Sequence, residues 1–172
     1  LGDVDGDSDL DAFVTNYFDQ GNKVWINDGS GNFTDNSQSL GSSNSHGVSL
    51  GDLDDDGDLD AFVANDQNQG NKVWLNDGAG SFTDSGQSLG SRYSRGVELA
   101  DLDGDGDLDA FVANDQNQGN KVWLNNGSGS FTDSGQSLGS RYSRGIELAD
   151  LDGDGDLDAF VVNYSSQGNK VW

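Results

Sequence analysis

Five aspartates, Asp101, Asp103, Asp105, Asp107 and Asp109, alternate with small or apolar residues in a nine-residue stretch of this chain. Carboxylates crowded this closely repel one another unless a hard cation draws them together. Calcium takes six or more oxygens, and a short loop with acids at positions 1, 3, 5 and 9 and a carbonyl at position 7 wraps one ion, glycine allowing the sharp turn. Asp101, Asp103, Asp105 and Asp109 fit the side-chain roles, and Asp107 fits the carbonyl role. The nearest competitor is an EF-hand loop, which needs a bidentate Glu at position 12 and flanking helices. Position 12 is Val14, Val63, Val112 or Val161, each in a stretch of strand-like composition, so that reading fails.

The same stretch occurs four times, beginning at residues 3, 52, 101 and 150, a constant spacing of 49. The formal charge of −23 over 172 residues, with 32% apolar content, would normally mark a chain too self-repulsive to collapse. Its distribution argues otherwise. Of the 31 acidic residues, 21 lie inside the four loops, and four divalent ions would bring −23 to about −15. The metal is therefore expected to be part of the fold.

Other residue types offer less chemistry. With eight basic residues, the chain lacks the clustered Lys and Arg that nucleic acid or an anionic membrane requires. It has no cysteine, and its one histidine, His46, falls in a predicted loop, so neither thiol nor triad chemistry is expected and the chain reads as no enzyme. Paired acids for glycoside hydrolysis would need free carboxylates, whereas nearly all the aspartates are assigned to metal. The tryptophans Trp25, Trp74, Trp123 and Trp172, one per period, fit an inter-blade core better than a sugar-stacking platform. Arg92, Tyr93 and Arg95, with their counterparts Arg141, Tyr142 and Arg144, are the residue types interfaces prefer. The competing reading is that these arginines neutralise nearby Asp, or Glu98 and Glu147. The first repeat has Ser43, Asn44 and His46 there instead. Asn32, Asn126 and Asn163 open Asn-x-Ser/Thr sequons and are candidate glycosylation positions.

The elements that hold the loops follow from the period. Aligned at 49 residues, the repeats run 1–49, 50–98, 99–147 and a partial 148–172; the second and third differ at only five positions. Each period carries about four short strands in meander order, as in a propeller blade. One strand leads into the acidic loop. A second, such as Leu108-Asp109-Ala110-Phe111-Val112-Ala113-Asn114, leaves it. A third, Lys121-Val122-Trp123-Leu124, ends in the glycine-rich turn Asn125 to Gly129, and a polar fourth strand around Phe131 forms the wet edge. Ala110 and Val112 alternate with Phe111 and Ala113, so both faces are apolar and each sheet needs a neighbour on either side. Proline is absent and no 3.6-residue pattern appears, which predicts almost no helix.

Taken whole, Asp-x-Asp-x-Asp-x-x-x-Asp, then Leu-Asp-Ala-Phe-Val, then Asn-Asp-Gly-Ser-Gly-Asn-Phe-Thr as at residues 27–34, resembles the FG-GAP and VCBS-type repeats of integrin alpha-subunit propellers and secreted bacterial proteins. The resemblance implies an all-β protein of propeller-type blades, four antiparallel strands each, about 3.5 blades in the chain with a calcium loop in each. By position it implies about four calcium ions. Their ligands would be Asp3, Asp5, Asp7, the Asp9 carbonyl and Asp11; Asp52, Asp54, Asp56, the Asp58 carbonyl and Asp60; and the matching residues through Asp150, Asp152, Asp154, Asp156 and Asp158. The chain lacks the Gly-Ala-Pro segment of the integrin form, which favours the bacterial group, and Ser8 replaces a turn glycine. Calcium sites of modest affinity fill where calcium is abundant, so an extracellular, secreted or cell-surface location is expected. No signal peptide or apolar membrane span is read. The chain starts without methionine, as a processed, excised or incompletely represented product would. Residue 1 enters at the end of a first strand and Trp172 stops in a third, so half-blades are expected to expose strand edges and to join another copy in a ring or filament, two chains totalling seven blades. The expected role is adhesion or extracellular assembly with itself or another extracellular protein. Alternatives are a carbohydrate-binding module for a glycan, or an accessory domain of a larger secreted enzyme.

Overall fold

A computed structural model describes residues 1–172, and it is built of β-strands alone. The second repeat shows the plan. β4 (Ser45–Gly51) runs into the acidic loop, β5 (Asp60–Asn65) returns antiparallel to it, and β6 (Gln69–Asn76) follows through a two-residue turn. Both central residues of that turn, Gln67 and Asn68, have φ near +55 to +59°, and Gln69 N donates to Asp66 O at 3.0 Å, so it is a type I′ turn whose twist suits a hairpin.

The fourth strand departs from the sequence expectation by being split. β7 (Phe82–Asp84) pairs with the end of β6, and β8 (Leu89–Arg92) pairs with its beginning. Between them the chain turns at Gly86, whose φ is +83°. The third repeat copies this arrangement with β9 (Ser94–Ala100), β10 (Asp109–Asn114), β11 (Gln118–Leu124), β12 (Thr132–Asp133) and β13 (Leu138–Arg141). Three-stranded sheets flank the pair. One comprises β1 (Ala12–Val14), β2 (Lys23–Asn27) and β3 (Phe33–Asp35), and the other β14 (Ser143–Ala149), β15 (Asp158–Asn163) and β16 (Lys170–Val171). Each sheet with a first strand thus begins at 45, 94 or 143, upstream of the acidic loop it carries.

The four sheets stack with their first strands adjacent, β4 beside β9 and β9 beside β14. At that inner edge the backbones nearly touch. A Cβ on Gly47 would lie 2.9 Å from the Arg95 carbonyl oxygen, so glycine is required there. The alternation in β10 sorts its side chains as expected: Ala110 and Val112 join the core against the second sheet, and Phe111 and Ala113 join the core against the fourth. Both β5 and β10 are buried at every residue. The cores between sheets are closed by one phenylalanine from each glycine-rich hairpin. Phe82 meets Phe13 edge-on at 5.3 Å between centroids, and Phe131 meets Phe62 at 5.2 Å.

Candidate metal centres and the buried ion ladder

Each acidic loop folds around its own backbone. In the first, Asp3 accepts from Gly6 N at 2.8 Å and from Ser8 N at 2.9 Å, while Asp7 Oδ1 accepts from Asp9 N at 2.9 Å. Such local bonds make a tight coil from alternating aspartates. The coil gathers three carboxylates within 4.8 Å of one another in every loop: Asp3, Asp5 and Asp11; Asp52, Asp54 and Asp60; Asp101, Asp103 and Asp109; Asp150, Asp152 and Asp158. These are positions 1, 3 and 9 of the loop. The carboxylates of Asp7, Asp56, Asp105 and Asp154 stand outside that grouping, each Oδ1 accepting the N–H two residues on. The position-7 side chains of Asp9, Asp58 and Asp107 lie against Gly29, Gly78 and Gly127 of the following hairpin.

The ninth position does two things. Asp60 is fully buried, and its two oxygens accept from Leu53 N at 3.0 Å and Asn76 N at 2.8 Å, tying the loop's start to the end of β6. Burial pushes its carboxyl up to about 6, against the pull of those two N–H groups. Burial likewise raises Asp109 and Asp5, and it raises Asp54 together with the charges of Asp56 and Asp52.

Two buried oxygens in the second loop, Asp52 Oδ1 and Asp54 Oδ1, have no hydrogen-bond partner. Buried carboxylate oxygens without donors are costly unless a cation meets them. An all-oxygen donor set of three clustered carboxylates with orphaned oxygens fits a hard divalent cation, calcium among them.

The turns need left-handed backbone at positions 4 and 6, usually supplied by glycine, as at Gly104 and Gly106 with φ +84° and +101°. Two loops depart: Ser8 holds φ 75° and Asp55 holds φ 61°. In the other loops a glycine N–H at position 4 reaches the first aspartate's Oδ1 at 2.6 to 2.8 Å, and this bond is missing where Asp55 stands.

At the far end of the sheets lies a cluster that sequence reasoning described only in part. Arg95 donates to Asp66 at 3.1 Å and to Asp115 at 3.1 Å, and Arg144 donates to Asp115 at 3.1 Å; both aspartates are buried. Tyr17 Oη donates to Asp66 at 3.1 Å, the His46 ring touches Arg95 Nη1, and Arg144 sits 5.0 Å over the Tyr164 ring. Arg95 thus bridges the second and third sheets, and the acids it meets are Asp66 and Asp115, not Glu98 or Glu147. Burial and the Arg95 charge together hold His46 below its ordinary range. The signal was present in the spacing: Asp66 and Asp115 stand 49 apart outside the acidic loops, with Tyr17 and Tyr164 at the outer positions. Arg92 and Arg141 instead lie on the split fourth strands, half-buried, with Tyr93 and Tyr142 beside them.

The sequon asparagines separate by environment. Asn32 is exposed and its amide donates to Asp28 at 2.9 Å; Asn126 is exposed in its turn. Asn163 is engaged at both ends, accepting from Ser143 Oγ at 2.9 Å and donating to Gly168 O at 2.9 Å. Two of the four tryptophans lie between sheets, Trp74 under Gly41 and Trp123 under Gly90, both nearly buried with unpartnered indole N–H groups, whereas Trp25 and Trp172 are exposed.

The fold and loops define an all-β repeat protein of propeller-type blades, each blade carrying an acidic loop suited to a divalent cation. The model of the FG-GAP-like repeat matches residues 3–63, 52–112 and 101–161, and the chain belongs to that family. Among the curated proteins compared, none matches the chain.

Proposed function

We propose that this chain is an extracellular, calcium-stabilised repeat scaffold for adhesion or assembly, with no catalytic activity of its own. The observation that carries the reading is the recurrence of one three-carboxylate cluster in all four loops, with unpartnered buried oxygens in the second. Crowded like charges oppose folding unless a cation draws them together, and a cation that binds only the folded state stabilises it by mass action. Modest-affinity calcium loops suit the calcium-rich cell exterior, and no helix is long and apolar enough to cross a membrane. Calorimetric titration with calcium is expected to give about four sites per chain, and excess chelator to lower Tm sharply. An unchanged melt in chelator would overturn the reading.

A second reading, carbohydrate binding, draws support from one cavity of about 230 Å3 between the first two sheets. Ser43 stands there at the position where Arg92 and Arg141 line equivalent sites with no room for a water. Asn22, Asn65, Lys72 and Asp84 line the cavity beside Trp74, a polar lining with donors and acceptors for sugar hydroxyls. Isothermal titration with free monosaccharides, comparing wild type with Ser43→Arg, tests this: binding that S43R abolishes supports it, and none at millimolar sugar rejects it.

A further inference from the structure

The turn of the third glycine-rich hairpin differs from its counterparts at one reactive position. Asp28-Gly29 and Asp77-Gly78 become Asn126-Gly127 in the third repeat, the one Asn-Gly pair in the chain. The turn is built around a carboxylate. Asp28 Oδ1 accepts from Ser30 N at 2.9 Å and Asn32 N at 3.2 Å, and Asp77 Oδ1 accepts from Ala79 N at 3.1 Å and Ser81 N at 3.2 Å. Asn126 Oδ1 keeps the first of these bonds, from Ser128 N at 3.1 Å, and accepts from Ser128 Oγ at 2.7 Å.

The same arrangement activates the Asn126 amide. Two donors meet its oxygen, where negative charge develops if the side-chain carbonyl is attacked. The nearest nucleophile is the next backbone nitrogen, and Gly127 N–H makes no hydrogen bond within the chain, nor does Asn126 Nδ2. Asn126 is exposed, so water reaches the site. Gly127 carries no side chain to shield its nitrogen, and its φ of +69° with Asp107 lying 2.8 Å from where a Cβ would stand keeps bulkier residues out.

We propose that Asn126 is a self-modifying site, deamidated in the folded protein by attack of Gly127 N on Asn126 Cγ. The Gly127 N–Cγ bond forms, the Cγ–Nδ2 bond breaks, and the amide leaves as ammonia with the proton from Gly127 N. Water then opens the cyclic imide. Addition at Cγ breaks its new bond to Gly127 N and leaves aspartate. Addition at the Asn126 backbone carbonyl carbon breaks that carbon's bond to Gly127 N and leaves isoaspartate, with the main chain routed through Cγ. Aspartate gives this turn the carboxylate that Asp28 and Asp77 supply in the others. Isoaspartate lengthens the main chain between Asn125 and Gly129, whose Nδ2 and N–H both hold Leu53 O, at 2.9 and 2.6 Å, so it strains the junction of the second and third sheets. Either product removes the Asn126 sequon.

The test is peptide mapping by mass spectrometry on wild type and Ser128→Ala, aged in calcium at neutral and mildly alkaline pH, with parallel samples unfolded in urea. Wild type is expected to gain the mass of an amide-to-acid change at Asn126, faster at the higher pH because Gly127 N must lose its proton, while Asn32, Asn125 and Asn163 stay intact. Folded S128A is expected to react about two- to tenfold more slowly, having lost one donor to Oδ1, and the two chains to react alike in urea. Folded wild type that keeps its Asn126 amide, or that loses amides evenly among its asparagines, overturns the proposal. Folded S128A that ages at the wild-type rate, or a difference that persists in urea, overturns the role of the turn.

Discussion

The ninth and third loop positions should respond oppositely to loss of their charge. Asp60→Asn exchanges a carboxylate that accepts two buried N–H groups, from Leu53 and Asn76, for an amide with one acceptor oxygen and an NH2 that must face the other donor. One buried N–H left unpaired costs about 1 to 3 kcal/mol, with or without a cation. In a chain of this size that corresponds to a fall in Tm of about 3 to 10 °C. Asp54→Asn removes instead a carboxylate whose Oδ1 is buried without a donor and whose ionised form is opposed by burial and by Asp56 and Asp52. In excess chelator D54N should therefore melt at or above the wild-type temperature, and in saturating calcium below it, because a ligand is lost. The assay is a thermal melt by circular dichroism under both conditions. A D54N defect of equal size in chelator and calcium, or a D60N melt indistinguishable from wild type in chelator, would refute the division of labour. The pH dependence adds a signature. In the folded, cation-free protein the Asp60 carboxyl is raised from 3.8 to about 6, so its contribution to stability is complete below 3.8 and is lost as the pH rises through about 6. D60N should flatten that part of the chelator profile.

Three further outcomes are expected. Arg95→Met leaves Asp66 and Asp115 buried with fewer partners and should cost about 3 to 5 kcal/mol by denaturant titration, a neutral result showing that the ladder is dispensable. Ser8→Gly and Asp55→Gly relieve left-handed backbone, each stabilising by about 1 kcal/mol, and D55G should gain more in chelator because it restores an N–H to Asp52 Oδ1. His46, held below its ordinary 6.5, resists protonation in the folded state, so stability in saturating calcium should fall as the pH drops below 6.5. H46Q should make that fall shallower than wild type, as read from paired melts.

The acidic loops were legible because a cation's needs are local: three of the ligands implied for each loop lie within nine residues, and the coil that gathers them is made by bonds two to five residues long. Blade order was legible for a similar reason. The alternation of Ala110, Phe111, Val112 and Ala113 states in one strand that both faces must be covered. The split of the fourth strand was hidden. Phe82 and Leu89 pair with opposite ends of β6, and the polar residues between them carry no apolar period to mark the break. The arginine ladder was hidden by distance: Arg95 finds Asp66 and Asp115 on two different sheets, 29 and 20 residues away, whereas composition drew attention to the nearer Glu98. Gln38 and Gln87 were missed outright, though each clasps the next hairpin by donating at 2.6 Å to Gly80 O or Gly129 O and accepting at 2.8 Å from Phe82 N or Phe131 N. An isolated glutamine in a polar loop has no pattern to betray such a bond.

These contacts join the acidic clusters and the stacking of the sheets into one mechanical chain. Leu53 N is held by the carboxylate of Asp60, a member of the second cluster, while Leu53 O accepts Asn125 Nδ2 and Gly129 N from the third sheet. The loop residue that reports on the cluster is therefore the one the neighbouring blade grips. Val4 repeats the pattern, held by Asp11 at 3.0 Å and gripped by Asn76 at 2.8 Å. Opening a loop must loosen the hairpin that seals the next core, where Phe131 meets Phe62. Damage should then pass from blade to blade instead of staying in one loop, as nearest-neighbour coupling in a repeat array requires. Chelation should accordingly raise hydrogen exchange in β7 and β12, the short strands beyond the gripping hairpins, as well as in the loops themselves. Exchange confined to the acidic loops would show that the grip on Leu53 and Val4 does not transmit the loss.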